Sequence, residues 1–210
     1  MRLKHIKGAE DVVNSSNYVI KNPKQYKGKF NQLFNNSNPI HIEIGMGKGN
    51  FIINNAIKYP NINFIGIEKY DSVMVKAIKK LETLNLDNLK LIRMDAQTIE
   101  DIFDKEIEQI YLNFSDPWPK TRHEKRRLTS PNFLEKYDKI FKKENKIVMK
   151  TDNRKLFEYS IMVFNNNGYK IEDLSLNLYD DDIKDNIPTE YEIKFKSKDF
   201  PIYMIKVFKN

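Results

Sequence analysis

From residue 39 onward, short apolar runs alternate with stretches in which apolar residues recur every three or four positions. The runs PIHIEI (39–44), INFIGI (62–67), LKLIRM (89–94), IEQIYLNF (107–114) and NKIVMK (145–150) are rich in isoleucine, as strands covered on both faces should be. Between them, Ile52, Ile53, Ala56 and Ile57 fall on one helical face. Met74, Ala77, Ile78, Leu81 and Leu84 fall on another, in a helix opening at an Asp71 or Ser72 cap. Ser130-Pro131 opens a third helix, with Phe133, Leu134, Tyr137, Ile140 and Phe141 on its apolar face. A fourth carries Leu156, Phe157, Ser160, Ile161 and Phe164 and ends at Gly168. Repeated βα units of this length predict a parallel sheet with helices on both faces.

After Gly168 the pattern changes to YKIEDLSLNL, an acidic loop, then YEIKFKS and FPIYMIKVF with no long helix between. These read as terminal strands, at least one antiparallel. The expected fold is α/β, a mostly parallel seven-stranded sheet with an antiparallel C-terminal strand, in a single domain over residues 39–210. Residues 1–38, rich in Asn, Tyr and Lys, read as a basic N-terminal arm with a short helix near Tyr26 to Phe34.

Composition narrows the chemistry. No apolar run approaches the roughly 18 residues of a membrane span, and the start, MRLKHIKGAEDVV, has no apolar signal-peptide stretch. The absence of cysteine excludes disulfides, thiolate nucleophiles and cysteine-based zinc sites; His5, His41 and His123 show no ligand spacing. A cytoplasmic protein without a structural metal is expected. The net charge of +7 suggests a polyanionic partner, and its distribution sharpens the suggestion. Residues 1–30 hold seven Lys/Arg against two acids and residues 120–127 five against one, whereas residues 171–192 hold eight acids against one lysine.

The first strand runs into Glu43-Ile44-Gly45-Met46-Gly47-Lys48-Gly49 and then a helix, where glycines permit a tight turn and close approach of a ligand to backbone. The spacing is G-x-G-x-G, short of the dinucleotide fingerprint. Glu68 ends the second strand about twenty residues on, placed to accept from ribose hydroxyls, and Asp95 ends the third, placed to reach an adenine edge. A pyrophosphate would meet the negative charge of Glu43 at the mouth of the loop. S-adenosylmethionine, cationic and without phosphate, suits this acid-lined turn better than NAD.

The fourth strand ends at Ser115-Asp116-Pro117-Trp118-Pro119, which two prolines stiffen, and continues directly into KTRHEKRR, a set of donors suited to an RNA backbone. The chain resembles the bacterial tRNA (guanine-N7-)-methyltransferases from about residue 40 to its end, and the basic arm is in keeping. The resemblance is carried by Glu43 with GMGKG, Glu68, Asp95, the SDPWPKTRHEKRRL block, Lys150-Thr151-Asp152-Asn153 and Thr189-Glu190-Tyr191-Glu192. It implies a Rossmann-like class I methyltransferase fold and methyl transfer from S-adenosylmethionine to N7 of a guanine in the tRNA variable loop, by a monomer or homodimer. Glu43, Gly45, Gly47, Gly49, Glu68, Asp95 and Asp116 would then line the cofactor site, with Asp116 also catalytic. Lys120, Asp152, Thr189, Glu190, Tyr191 and Glu192 would contact the substrate, and Arg122, His123, Lys125, Arg126 and Arg127 the RNA. Thr121 stands where the family often has lysine or another residue, a departure that bears on a single phosphate contact.

Read without the family, Asp152 is a helix N-cap and Thr189 to Glu192 the start of a strand. Trp118 either stacks on the target base or braces its loop. The rival readings are an amino-methyltransferase acting on adenine or cytosine, a non-catalytic RNA-binding protein on the same scaffold, and an NAD oxidoreductase. Against the first, Trp118 separates prolines that are adjacent in such enzymes.

Overall fold

The computed structural model describes residues 6–181, 183, 186–196 and 200–210. The predicted strands form as β1 (Ile40–Ile44), β2 (Asn63–Glu68), β3 (Leu89–Arg93), β4 (Ile107–Asn113) and β5 (Asn145–Thr151), followed by β6 (Lys170–Ser175) and β7 (Tyr203–Lys209). They build one seven-stranded sheet in the order β3-β2-β1-β4-β5-β7-β6. β1 to β5 pair in parallel, and β7 runs antiparallel to both β5 and β6. The chain order reverses direction between β1 and β4, so a crevice opens beyond their C-terminal ends.

Alternation along the strands divides the core. Ile40, Ile42, Ile44, Ile65 and Ile67 point to one face, where they pack with Phe133, Leu134 and Tyr137 of α5 (Pro131–Ile140) and Leu156, Phe157 and Phe164 of α6 (Arg154–Asn166). Phe64, Leu89 and Leu91 point to the other, against Ile52, Ile53 and Ala56 of α2 (Asn50–Lys58) and Met74, Ala77, Ile78 and Leu81 of α3 (Asp71–Leu81). Each fully buried isoleucine contributes roughly 1.5–3 kcal/mol relative to exposure, so a one-residue slip of a central strand would be strongly opposed.

Several local expectations are corrected. YEIKFKS was expected to be a strand, but α7 spans Glu190–Lys196, and Ser197 lies outside the described residues. The Thr189 N–H donates to Glu192 Oε2 at 2.7 Å, and the Glu192 N–H to Thr189 Oγ1 at 3.0 Å. That reciprocal capping box satisfies two N-terminal donors and outweighs the two-residue alternation. The α3 cap is Tyr70, without a side-chain bond; Asp71 is the first helical residue and is held by Arg93 instead. Asn153, not Asp152, caps α6, accepting from the Leu156 N–H at 2.9 Å. Ile57 is exposed, and Leu84 lies beyond the end of α3.

The described part of the N-terminal arm, from Ile6 on, packs against the rest of the fold. α1 (Ala9–Ser15) lies against α3, and Val19 bridges to Leu91 of β3, covering part of an edge strand. In place of one helix near Tyr26 to Phe34 there are two 3-10 turns, Pro23–Tyr26 and Phe30–Leu33. Glu106 accepts from the Gly28 and Phe30 N–H groups, both at 2.9 Å, which fixes Phe30 in the core.

Candidate active site

Glu43, Glu68 and Asn113 lie on the α2 side of the sheet, because their neighbours Ile42, Ile44, Ile67 and Leu112 occupy the other parity. Glu43 is 2% exposed. Its Oε1 accepts from Asn113 Nδ2 at 2.9 Å, and its Oε2 is buried without a hydrogen-bond partner. Burial pushes the carboxyl up to about 8; Asn113, the Lys150 charge and the Ile52 N–H draw it back only in part, and the Ile52 N–H closes no hydrogen bond of good geometry. Glu68 is also raised by burial, while accepting from the backbone of Gly47 at 3.2 Å, Lys69 at 2.8 Å and Tyr70 at 3.0 Å. Asp95, more exposed, accepts from Lys69 Nζ at 2.7 Å and from the Gln97 N–H at 3.0 Å.

The loop between β1 and α2 is tied to the end of β2: the Gly45 and Met46 N–H groups donate to the Ile67 carbonyl at 2.9 and 3.0 Å. Gly45 and Gly47 adopt φ of 77° and 59°, with nothing within 4 Å of where a Cβ would stand, so the turn borders open space. At Gly49 (φ 76°) the requirement is steric as well, since a Cβ would lie 2.8 Å from that of Ala77.

Beyond β4 the chain enters the segment that carries Asp116. Phe114 and Trp118 hold φ of 50° and 42°, a region costly for side-chain-bearing residues and seldom kept without support. The support comes from Arg127, which donates to the Pro117 carbonyl at 3.2 Å and the Trp118 carbonyl at 3.1 Å and lies 4.2 Å from the Tyr159 ring. The Trp118 ring packs on its own segment, edge-on to His123 at 5.7 Å and under Arg126 at 4.9 Å. Asp116 is exposed, and its charge adds slightly to the upward shift of Glu68. Lys120, Arg122 and Lys125 are exposed around the 3-10 turn Thr121–Arg126, and Asp152 is exposed at the end of β5.

α7 closes the remaining side. Glu190 pairs with Lys48 of the glycine loop at 2.6 Å and Lys80 of α3 at 2.8 Å. Glu192, fully buried, pairs with Lys150 at 3.1 Å, and Lys150 also donates to Asn186 and to the Ile187 carbonyl. Tyr191, half exposed, stacks on Phe114 with ring centroids 5.6 Å apart.

Residues 37–205 match the family model described as "Putative methyltransferase". The tRNA (guanine-N(7)-)-methyltransferase of Lachnoclostridium phytofermentans is 48% identical, covering 100% of this chain and 99% of that protein. That of Listeria monocytogenes is 50% identical, covering 98% and 97%. The chain belongs to the bacterial tRNA (guanine-N7-)-methyltransferase family. The fold is shared with more distant proteins: the 16S rRNA methyltransferase KamB superposes with a TM-score of 0.67 at 13% identity, over 87% of this chain and 93% of that one.

Within this family member, the structure adds residues that sequence reading left out of the site. Asn113 is the direct partner of Glu43, and Lys48 and Lys80 anchor α7. Lys150 was singled out only by resemblance, yet it is the buried cation between β5 and α7. The T-x-x-E spacing of Thr189 and Glu192 was the available sign of a helix start, and it points to a buried role for both side chains. Among the described residues no group of His, Asp and Glu is arranged to hold a metal, and no helix is long and apolar enough to cross a membrane.

Proposed function

We propose that this chain, acting in the cytoplasm as a monomer or homodimer, transfers a methyl group from S-adenosylmethionine to N7 of a guanine in the variable loop of tRNA. The reading rests on end-to-end similarity to proteins of that name, together with four carboxylates and a basic segment around the β1/β4 crevice. The residues present fit the cofactor. A buried carboxylate oxygen without a partner, beside a turn open at Gly45 and Gly47, calls for a cationic ligand with N–H donors and no phosphate. Glu43, the glycine turn, Glu68, Asp95 and Asp116 would hold it. When bound, S-adenosylmethionine supplies an electrophilic methyl group on a sulfonium.

Guanine N7 carries an in-plane lone pair, so no proton has to leave before attack and the protein's task is orientation. Holding a nucleophile in line at near-attack distance lowers a barrier by up to about 7–11 kcal/mol. Asp116 accepts from the guanine N1–H and exocyclic amine and offsets the positive charge that arrives on the purine. Lys120 meets O6 or a nearby phosphate. Thr189 and Glu192 act on the substrate by fixing α7, since their side chains point inward; Tyr191 and Asp152 present themselves outward. Arg122, His123, Lys125 and Arg126 make up the RNA-facing side of the basic segment, while Arg127 keeps the Asp116 loop in its strained form. The deciding experiment assays methylation of a tRNA transcript against the same transcript containing 7-deazaguanine. Only the first should accept label, and equal labelling of both would overturn the assignment of N7.

A further inference from the structure

The glycine turn between β1 and α2 carries a lysine of its own, Lys48, whose ammonium is turned to α7 and meets Glu190 Oε2 at 2.6 Å. The other oxygen of that carboxylate, Oε1, takes Lys80 of α3 at 2.8 Å. Lys80 also donates to the Lys48 carbonyl at 2.9 Å and to Asn50 Oδ1, so three segments distant in sequence close on one another around residues 48–50. The resemblance assigns Glu190 to the substrate, yet each of its oxygens is engaged within the protein. Burial raises its carboxyl, and the two lysines more than reverse that, which keeps it charged in the neutral range. Left unpaired, the Lys48 charge would oppose a sulfonium received in the same turn.

Stability does not account for the arrangement. The Lys48, Lys80 and Glu190 side chains are 48%, 36% and 27% exposed, a setting in which ion pairs add little to folding. α7 is already secured by the buried Lys150–Glu192 pair and by its capping box. What the cluster adds is a brace on a turn with little side chain of its own, since nothing stands within 4 Å of where a Cβ would be at Gly45 or Gly47. The same helix reaches the other reactant's side, because Tyr191 stacks on Phe114 at 5.6 Å, two residues before Asp116. One short helix therefore touches both the glycine turn and the segment that carries Asp116. We propose that Glu190 is a positioning residue, which registers α7 and the Asp116 segment against the glycine turn so that methyl donor and guanine meet in line. This rests on the methyl-transfer reading given above. Glu190 touches neither reactant; it acts through Lys48 and Lys80.

The test compares wild type with Glu190→Gln and Lys48→Met, singly and together. Methylation of a tRNA transcript is followed in a single turnover, with enzyme and S-adenosylmethionine saturating, beside calorimetric affinities for S-adenosylhomocysteine and for tRNA. A misplacement of about 1 Å can cost on the order of 100-fold in rate, so each single variant is expected to slow the step by between about threefold and 100-fold. In Glu190→Gln both affinities should stay within about threefold of wild type, as should the urea midpoint be kept, because the lost pairs are partly exposed. The double variant should be no slower than the slower single one, the mark of two residues acting through one contact. Losses that multiply in the double variant, or a larger weakening of either affinity by Glu190→Gln, make Glu190 a substrate contact and overturn the proposal. A single-variant rate closer to wild type than that overturns it too, and a lost rate with a lowered urea midpoint leaves only a structural role. A wild-type protein that methylates no tRNA refutes the methyl-transfer reading instead.

Discussion

Replacing Glu43 by glutamine keeps the shape of the side chain and removes its ability to ionise, which isolates the energetic cost of a carboxylate held ready for a ligand. In the unfolded chain the group ionises near 4.5, whereas burial holds it protonated to about 8 in the folded protein. The folded state therefore binds more protons across that window, and stability falls as pH rises from 4.5 towards 8, then levels off. The slope approaches about 1.4 kcal/mol per pH unit, so this one residue should remove about 2 kcal/mol between pH 6 and 8. Urea unfolding of the ligand-free protein at a series of pH values gives the comparison, taken as wild type minus Glu43→Gln so that other titrations cancel. His41, lowered to about 4 by burial and by Lys146, acts with the opposite sign and mainly below about 6.5, and it cancels in the subtraction because both proteins carry it. The difference should widen steadily from pH 6 to 8, the variant being the more stable at the alkaline end. A difference that stays constant within about 0.5 kcal/mol would show that Glu43 is not desolvated as the structure implies. The same variant should bind S-adenosylhomocysteine at least tenfold more weakly at pH 8, the sign of a residue that sacrifices stability for function.

If Asp116 acts mainly on guanine, with Glu43, Glu68 and Asp95 carrying most of the hold on the cofactor, Asp116→Ala should abolish methyl transfer while changing S-adenosylhomocysteine affinity by no more than a few-fold; calorimetry beside a single-turnover assay separates the two, and large loss of affinity with normal turnover would contradict the guanine-holding role. Arg122→Gln with Lys125→Gln should flatten the dependence of log K on log salt for tRNA binding by up to roughly two contacts' worth, about 0.9 each, and an unchanged slope would mean these side chains meet no phosphate. Arg127→Ala should leave that slope closer to wild type and lower the turnover rate instead, because it releases the Pro117 and Trp118 carbonyls; the pattern reversed would make Arg127 an RNA contact. Lys150→Met leaves Glu192 buried without its cation and should cost about 3–5 kcal/mol in urea unfolding, much of it recovered by adding Glu192→Leu; no loss in the single variant would mean that the pair is not desolvated.

The sequence by itself determined the sheet and the ligand class. Isoleucine-rich runs of strand length, separated by helix-period stripes, leave few topologies, and the acids Glu43, Glu68 and Asp95 each had to fall where a strand stops. The DPWP block, with its basic continuation, was legible because prolines and charges in series admit few structural purposes. Tertiary structure decided what was shared between distant segments. YEIKFKS alternates like a strand, and only the Thr189–Glu192 box and a buried partner at Lys150 make it a helix. Arg127 and Arg126 are equivalent in composition, yet one clamps a strained loop while the other covers Trp118. Asn113 carried no mark of function in the chain. Its contact with Glu43 comes from a parallel ladder that joins residues seventy positions apart, in a dry place where an unpaired acceptor is costly.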